Sequence, residues 1–221
     1  MTHFLRIGIT GGIAAGKSTV SAHLHAQGYP VIDYDVLARE VIEPGSALLT
    51  QIEQEFGPES IAPDGTLNRE WMAEHVFTDS HQRDTLNALV HPAVYALAAQ
   101  KEKAVRKEGQ NVVIHDIPLL VETRETALRI LGPAWSRTKN DTPYDLILTV
   151  EADDATRIQR MVDARGMTAQ QAASRIAAQL PSEERKAAAD ICIDSTRPMK
   201  QMLLDVDAAV DAALKDTLDK T

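Results

Sequence analysis

The sequence predicts an α/β protein built on a parallel sheet with helices on both faces, and three observations carry that expectation. Short apolar runs of strand length recur at residues 4–10, 30–33, 112–117, 146–150 and 191–193. Helical patterns separate them, the order that parallel pairing through crossover connections requires. A glycine-rich turn stands where the first run gives way to the first helix, the place at which such sheets hold phosphates.

Residues 4–10 alternate and then run apolar, as a buried strand does. The next helix is expected over residues 17–27 and is ended by Gly28, and the short second strand follows at once. Residues 36–107 read as mostly helical, with turn signals at Pro44-Gly45, Gly57-Pro58 and Asp64-Gly65. Helices are further expected at 154–164, 168–179 and 199–214. Residues 132–143 are polar, contain Gly132, Pro133 and Pro143, and are expected to form a surface loop. There is no internal repeat and no low-complexity tract.

Composition narrows the function. The chain has 221 residues, 44% of them hydrophobic, enough for a packed core. A formal net charge of -9 argues against general nucleic-acid or anionic-membrane binding, which needs basic fields. No run approaches the roughly 18 apolar residues of a membrane span. The first residues lead into a strand pattern without a signal peptide, and the single Cys192 excludes a disulfide framework and reads as a small buried hydrophobe. A cytoplasmic protein is expected.

The run Gly11-Gly12-Ile13-Ala14-Ala15-Gly16-Lys17-Ser18-Thr19 matches G-x-x-x-x-G-K-[ST]. Glycines let the backbone bring its N–H groups onto phosphate oxygens, and the following helix adds its positive end. Lys17 then reaches the β- and γ-phosphates of a nucleotide and the Ser18 hydroxyl ligates Mg²⁺. Set between a strand and a helix, the motif marks nucleotide binding.

Two acidic positions accompany it. Asp33 and Asp35 end the second strand, on the edge that parallel strands share with the loop. A carboxylate there can take a proton from an attacking hydroxyl or help hold Mg²⁺, although Asp35 also suits a helix N-cap. Asp116 ends the third strand and is either a second carboxylate at the phosphate edge or a turn residue. The densest basic stretch holds Arg157, Arg160, Arg165, Arg175, Arg185 and Lys186. Arg157 and Arg160 share a helical face. Composition alone favours a solvated face balanced by nearby acids, whereas phosphoryl transfer would use these arginines on a closing lid.

Thr10-Gly11-Gly12, Asp33-Tyr34-Asp35 with Ala38-Arg39, Phe56-Gly57 and Asp64-Gly65-Thr66-Leu67-Asn68-Arg69 together resemble the dephospho-coenzyme A kinase family. So do Leu86-Asn87 with His91-Pro92, Ile117-Pro118-Leu119-Leu120 with Glu122, residues 160–179 and Ala189-Asp190, in the family's order along nearly the whole chain. The resemblance implies a P-loop kinase of five parallel strands flanked by helices, with a helical substrate-binding lobe at about 36–107 and a lid at about 154–187. The core would comprise about 1–35, 108–153 and 188–221.

It further implies transfer of a phosphoryl group from ATP, with Mg²⁺, to the ribose 3′-hydroxyl of dephospho-coenzyme A. Asp35 would be the base, with Lys17 and Arg160 also catalytic. Gly12, Ile13, Ala14, Ala15, Gly16, Lys17, Ser18, Thr19, Arg160 and Arg165 would bind the nucleotide. Thr10, Asp33, Asp35, Arg39, His91, Pro118, Leu119 and Leu120 would bind the acceptor, and Ser18 and Asp35 are candidate metal ligands. The only partner implied is this small molecule, with no nucleic acid and no membrane, and the chain as a monomer or weak homo-oligomer. The chain departs from the family pattern in three places: Tyr34 stands where a small residue is usual, residues 123–143 run long, and Arg165-Gly166-Met167-Thr168 is about one residue short. Another small-molecule kinase, for nucleosides or nucleoside monophosphates, and a nucleotide-dependent switch remain the alternatives. No N-K-x-D sequence supports a guanine-specific switch.

Overall fold

The computed structural model describes residues 4–131 and 143–219, so the loop expected at 132–143 lies, except for Pro143, outside the described residues. The chain divides into two compact units, Met1–Ile32 with Ala104–Thr221, and Asp33–Lys103. Five strands, β1 (Leu5–Gly11), β2 (Val31–Asp33), β3 (Val112–Asp116), β4 (Leu146–Glu151) and β5 (Ile191–Asp194), form one sheet in the order β2-β3-β1-β4-β5. Ten helices are described: α1 (Lys17–Ala26), α2 (Tyr34–Glu40), α3 (Ala47–Phe56), α4 (Arg69–Thr78), α5 (Ser80–Lys107), α6 (Arg124–Leu131), α7 (Asp154–Arg165), α8 (Ala169–Ala177), α9 (Ser182–Ala188) and α10 (Met199–Asp219).

Parallel ladders join β1 to β3 and to β4, and β4 to β5. The five-stranded parallel sheet expected from the sequence is present, with each strand within a residue or so of its apolar run. Every residue of β1, β3 and β4 is buried, which is why these strands read as continuous apolar runs rather than as alternations. Ile7, Ile9, Ile114, Leu148 and Val150 pack with Val20 and Leu24 of α1 and Val206 and Val210 of α10. Each such side chain contributes about 1.5–3 kcal/mol by leaving water.

Asp33–Lys103 has its own apolar centre. Ser46 caps α3 by accepting the Leu49 N–H at 3.1 Å, and the helix turns Leu48 and Ile52 inward against Met72 of α4. Trp71, Leu86, Leu89 and Val90 close that cluster.

Three features depart from the sequence reading. Helices α6 and α9 are absent from it, being only eight and seven residues long and thus too short to show a period. The helix expected over 168–179 stops at Ala177, which leaves Gln179 beyond its end. Cys192, expected to be buried, is exposed, because β5 is an edge strand whose Ile193 faces the core while its neighbours point outward. The short connection at Arg165-Gly166-Met167-Thr168 is a tight corner: Gly166 ends α7 at φ 62, and Thr168 and Gln171 form a capping box that starts α8.

Candidate active site

β1 lies in the middle of the sheet, so the chain leaves it between β3 and β4, where the connections diverge. Register pairs Ile9 with Asp116 and Gly11 with Val150. Asp116 therefore flanks the glycine-rich turn on one side and Glu151, the residue after Val150, on the other.

The turn itself is folded for anions. Ala15 donates its N–H to the Gly12 carbonyl at 3.0 Å, and Ala14 (φ 58) and Gly16 (φ 105) take left-handed conformations. That backbone turns successive N–H groups to one side as a nest, and Gly16 caps α1, whose N-terminal dipole adds to it. The left-handed turn costs about 1–2 kcal/mol at Ala14, which has a Cβ. The surrounding bonds hold it there.

Those bonds come from arginines. With its N–H groups turned inward, the loop must find donors for its carbonyls. Arg157 Nε donates to the Ile13 carbonyl at 2.9 Å. Arg160 Nη1 donates to the carbonyls of Ala14 at 3.2 Å and Ala15 at 3.1 Å, and its Nη2 to the Ser195 carbonyl at 2.7 Å. The Ser195 hydroxyl donates to Ala15 as well. Three consecutive loop carbonyls are thus held by one face of α7.

Burial distinguishes these arginines from the solvated face that composition favours. Arg157 is 2% exposed and Arg185 is 1% exposed. Arg185 donates from Nε and Nη2 to the two oxygens of Glu151, both at 2.8 Å. The hydroxyls of Thr149 and Ser182 donate to the same carboxylate at 2.8 and 2.9 Å. Burial alone would raise the Glu151 carboxyl, but the bonds from Arg185, Thr149 and Ser182 outweigh it and hold the group below its ordinary value. The Glu151 hydrogen bonds push Arg185 upward against its own burial. Arg157 moves the other way, lowered first by burial and then by the charge on Arg185; its ionic partner is Asp154, at 3.1 Å. Two buried guanidiniums set beside one buried carboxylate leave a positive field at the loop of an acidic protein. They also explain Gly12, since a Cβ there would lie 2.7 Å from Arg157 Cζ and 2.8 Å from Arg185 Nη2.

Asp116 is 3% exposed and pairs with the Lys17 ammonium, while the Ser21 hydroxyl donates to its other oxygen at 2.6 Å. Of its two candidate roles, the structure gives it the one at the phosphate edge. Ser18 is exposed in the first turn of α1 and Thr19 is half-buried. Thr10 is buried and donates to the Pro118 carbonyl at 3.4 Å. In the expected acceptor segment, Leu119 is 45% exposed and Pro118 half-buried, but Leu120 is a core residue beneath Gly8. Arg165, the last residue of α7, is exposed and makes none of the loop contacts of Arg157 and Arg160.

In the unit Asp33–Lys103, the N-cap of α2 is Asp33, whose Oδ1 accepts the N–H groups of Asp35 at 2.8 Å and Val36 at 3.1 Å. The capping role that the sequence allowed to Asp35 therefore belongs to Asp33. Asp35 lies exposed in the first turn, and Arg39, one turn on, donates from Nε to its carbonyl at 2.9 Å. Tyr34 is buried with its ring 5.6 Å from that of Tyr95, edge to face, which gives it a packing role. His91 is half-buried in α5, and burial lowers its pKa.

A nest-forming loop with its lysine and arginines, at the carboxyl edge of a five-stranded parallel sheet, defines a P-loop kinase. The family model for dephospho-CoA kinase matches residues 5–201. A dephospho-CoA kinase of Bifidobacterium longum is 46% identical over 209 residues, 93% of this chain and 95% of the relative. One of Streptomyces avermitilis is 41% identical over 198 residues, 90% of this chain and 88% of the relative. The chain belongs to the dephospho-CoA kinase family. Among solved structures, TT1252 from Thermus thermophilus superposes with a TM-score of 0.76 at 29% identity, covering 97% of this chain and 98% of that one. A dephospho-CoA kinase from Campylobacter jejuni shares the fold, with a TM-score of 0.63 at 20% identity over 93% of this chain and 95% of its own.

Proposed function

We propose that the protein transfers the γ-phosphoryl group of ATP to the ribose 3′-hydroxyl of dephospho-coenzyme A, giving coenzyme A and ADP in the cytoplasm. The observation that carries this reading is the phosphate loop braced by Arg157 and Arg160, in a chain that matches the family over residues 5–201. Among the described residues no helix is long and apolar enough to cross a membrane.

The loop N–H groups and the N-terminus of α1 hold the β- and γ-phosphates. Lys17, kept at the loop by Asp116, swings onto the same oxygens. Arg157 and Arg185, beside Gly12, stabilise the charge that spreads over the transferring group, while Arg160 maintains the shape of the loop. Asp35 accepts the proton of the attacking hydroxyl as its oxygen bonds to the γ-phosphorus and the bond to the bridging oxygen of ADP breaks. Asp33, Arg39, His91, Thr10, Pro118 and Leu119 serve the acceptor.

Among the described residues no group of three or more His, Cys, Asp or Glu could hold a metal. Mg²⁺ takes few protein ligands and keeps waters and phosphate oxygens. The Ser18 hydroxyl, with Asp35 as a second candidate, would hold it, and the ion would neutralise phosphate charge.

The test is release of ADP from ATP and Mg²⁺ with dephospho-coenzyme A, AMP, adenosine or no acceptor. ADP formed only with dephospho-coenzyme A supports the reading. Turnover with AMP or adenosine instead would move the acceptor to the nucleotide class, and nucleotide binding without any acceptor turnover would turn the protein into a switch.

A further inference from the structure

Gln179 stands just beyond the end of α8, and its side chain reaches to the phosphate loop. Its Oε1 accepts the Ile13 N–H at 2.8 Å and an Nη2–H of Arg157 at 2.9 Å. Both partners are donors only, so the oxygen and not the nitrogen of the amide faces them. Arg157 in turn gives its Nε–H to the Ile13 carbonyl at 2.9 Å. One glutamine and one arginine therefore take both backbone polar groups of a single loop residue and are tied to each other.

The chain behind Gln179 is fixed too. The next carbonyl, that of Leu180, accepts from Arg185 Nη1, and Arg185 is locked to Glu151 at the end of β4 by two bonds. Among the described residues Arg157 has no buried carboxylate partner of that kind. Its ion pair is with Asp154, whose side chain is 68% exposed, a contact that water screens. Together with the Ile13 carbonyl, the neutral amide oxygen orients the Arg157 fork without cancelling its charge, which a carboxylate would do. A guanidinium aimed at a transferring phosphoryl group needs its charge intact and its direction set.

Resting on the phosphoryl-transfer reading above, we propose that Gln179 is a positioning residue that sets Arg157 over Gly12 toward the transferring group. It acts through Arg157 and the Ile13 backbone, and not by touching either substrate.

The experiment compares the full-length protein with Gln179→Leu, Gln179→Glu, Arg157→Ala and the Arg157→Ala/Gln179→Leu double variant. Steady-state kinetics are measured with ATP and dephospho-coenzyme A, alongside thermal melting and ATP binding by calorimetry. Gln179→Leu is expected to lower kcat by about 10- to 100-fold, the scale of a misplaced catalytic group, with KM for dephospho-coenzyme A little changed. Gln179→Glu keeps both acceptor positions but sets a carboxylate on the Arg157 fork, so it should melt like the parent and still lose turnover, and the double variant is no slower than Arg157→Ala alone. If Gln179→Leu does not fold, Gln179→Met is judged on the same terms. Turnover of Gln179→Leu within about twofold of the parent, or losses that multiply in the double variant, would overturn the assignment. Failure of the parent protein to make coenzyme A would instead strike the function itself, and this assignment with it.

Discussion

The candidate site residues of the two compact units carry their charges in opposite ways. In the unit that holds the phosphate loop, Arg157, Arg185, Glu151 and Asp116 are buried, and each is held by more than one hydrogen bond. In the unit Asp33–Lys103, Asp35 and Arg39 are exposed on α2, and Lys101 meets Glu40 at 2.9 Å with side chains 42% and 38% exposed. Burial removes the screening that water gives, so charges in the first set interact more strongly than those in the second. The phosphate loop is held by fixed, buried groups, whereas Asp35 lies on the surface of α2.

That contrast can be broken at either end. The largest effect is expected from Asp35→Asn, which removes the proposed base and should lower kcat by about 100- to 10,000-fold while calorimetry finds ATP binding intact. Turnover unchanged in that variant would take the base role from Asp35. Lys17→Ala should cost about 100- to 1,000-fold in kcat and, unlike Asp35→Asn, should weaken ATP binding as well. Next comes the buried pair. Glu151→Gln leaves Arg185 without its carboxylate and should destabilise the fold by about 3–5 kcal/mol in denaturant melts.

The same group gives a pH signature. The folded Glu151 carboxyl lies below its ordinary value, so its contribution is complete above the unfolded glutamate value of about pH 4.3 and disappears as pH falls through the folded one. Melting temperature should therefore fall more steeply on the acid side for the parent than for Glu151→Gln. Smallest of all is Lys101→Ala, which removes an exposed pair and should change stability by only about 0–1 kcal/mol. A loss as large as that of Glu151→Gln would erase the distinction between the units.

Much of this was legible in the chain because it is local. The loop, the strand before it and the helix after it are continuous in sequence, and the apolar runs of β1, β3 and β4 follow from burial on both faces. The brace was not legible. Arg185 and Glu151 are 34 residues apart and Arg157 and Ile13 are 144 apart, so neither pairing leaves a local pattern. With Glu183 and Glu184 beside it, Arg185 reads as part of a solvated charged stretch, and only the fold turns it inward. Asp33 and Asp35 both suit a cap in front of an apolar run. The choice fell to Asp33 because α2 starts at Tyr34, whose ring is drawn into the core beside Tyr95. Gln179 only closes the stretch 160–179 that resembles the family; its role was not legible, since a glutamine at the end of a helix is ordinary until its partners are known.

The most direct test of the central claim is the identity of the product. Incubation with ATP, Mg²⁺ and dephospho-coenzyme A, read by phosphorus NMR and by co-elution with authentic coenzyme A, should show one coenzyme A formed for each ADP, with the new phosphate on the ribose 3′-oxygen. ADP released without a phosphorylated acceptor, or a phosphate on any other hydroxyl, would contradict the account.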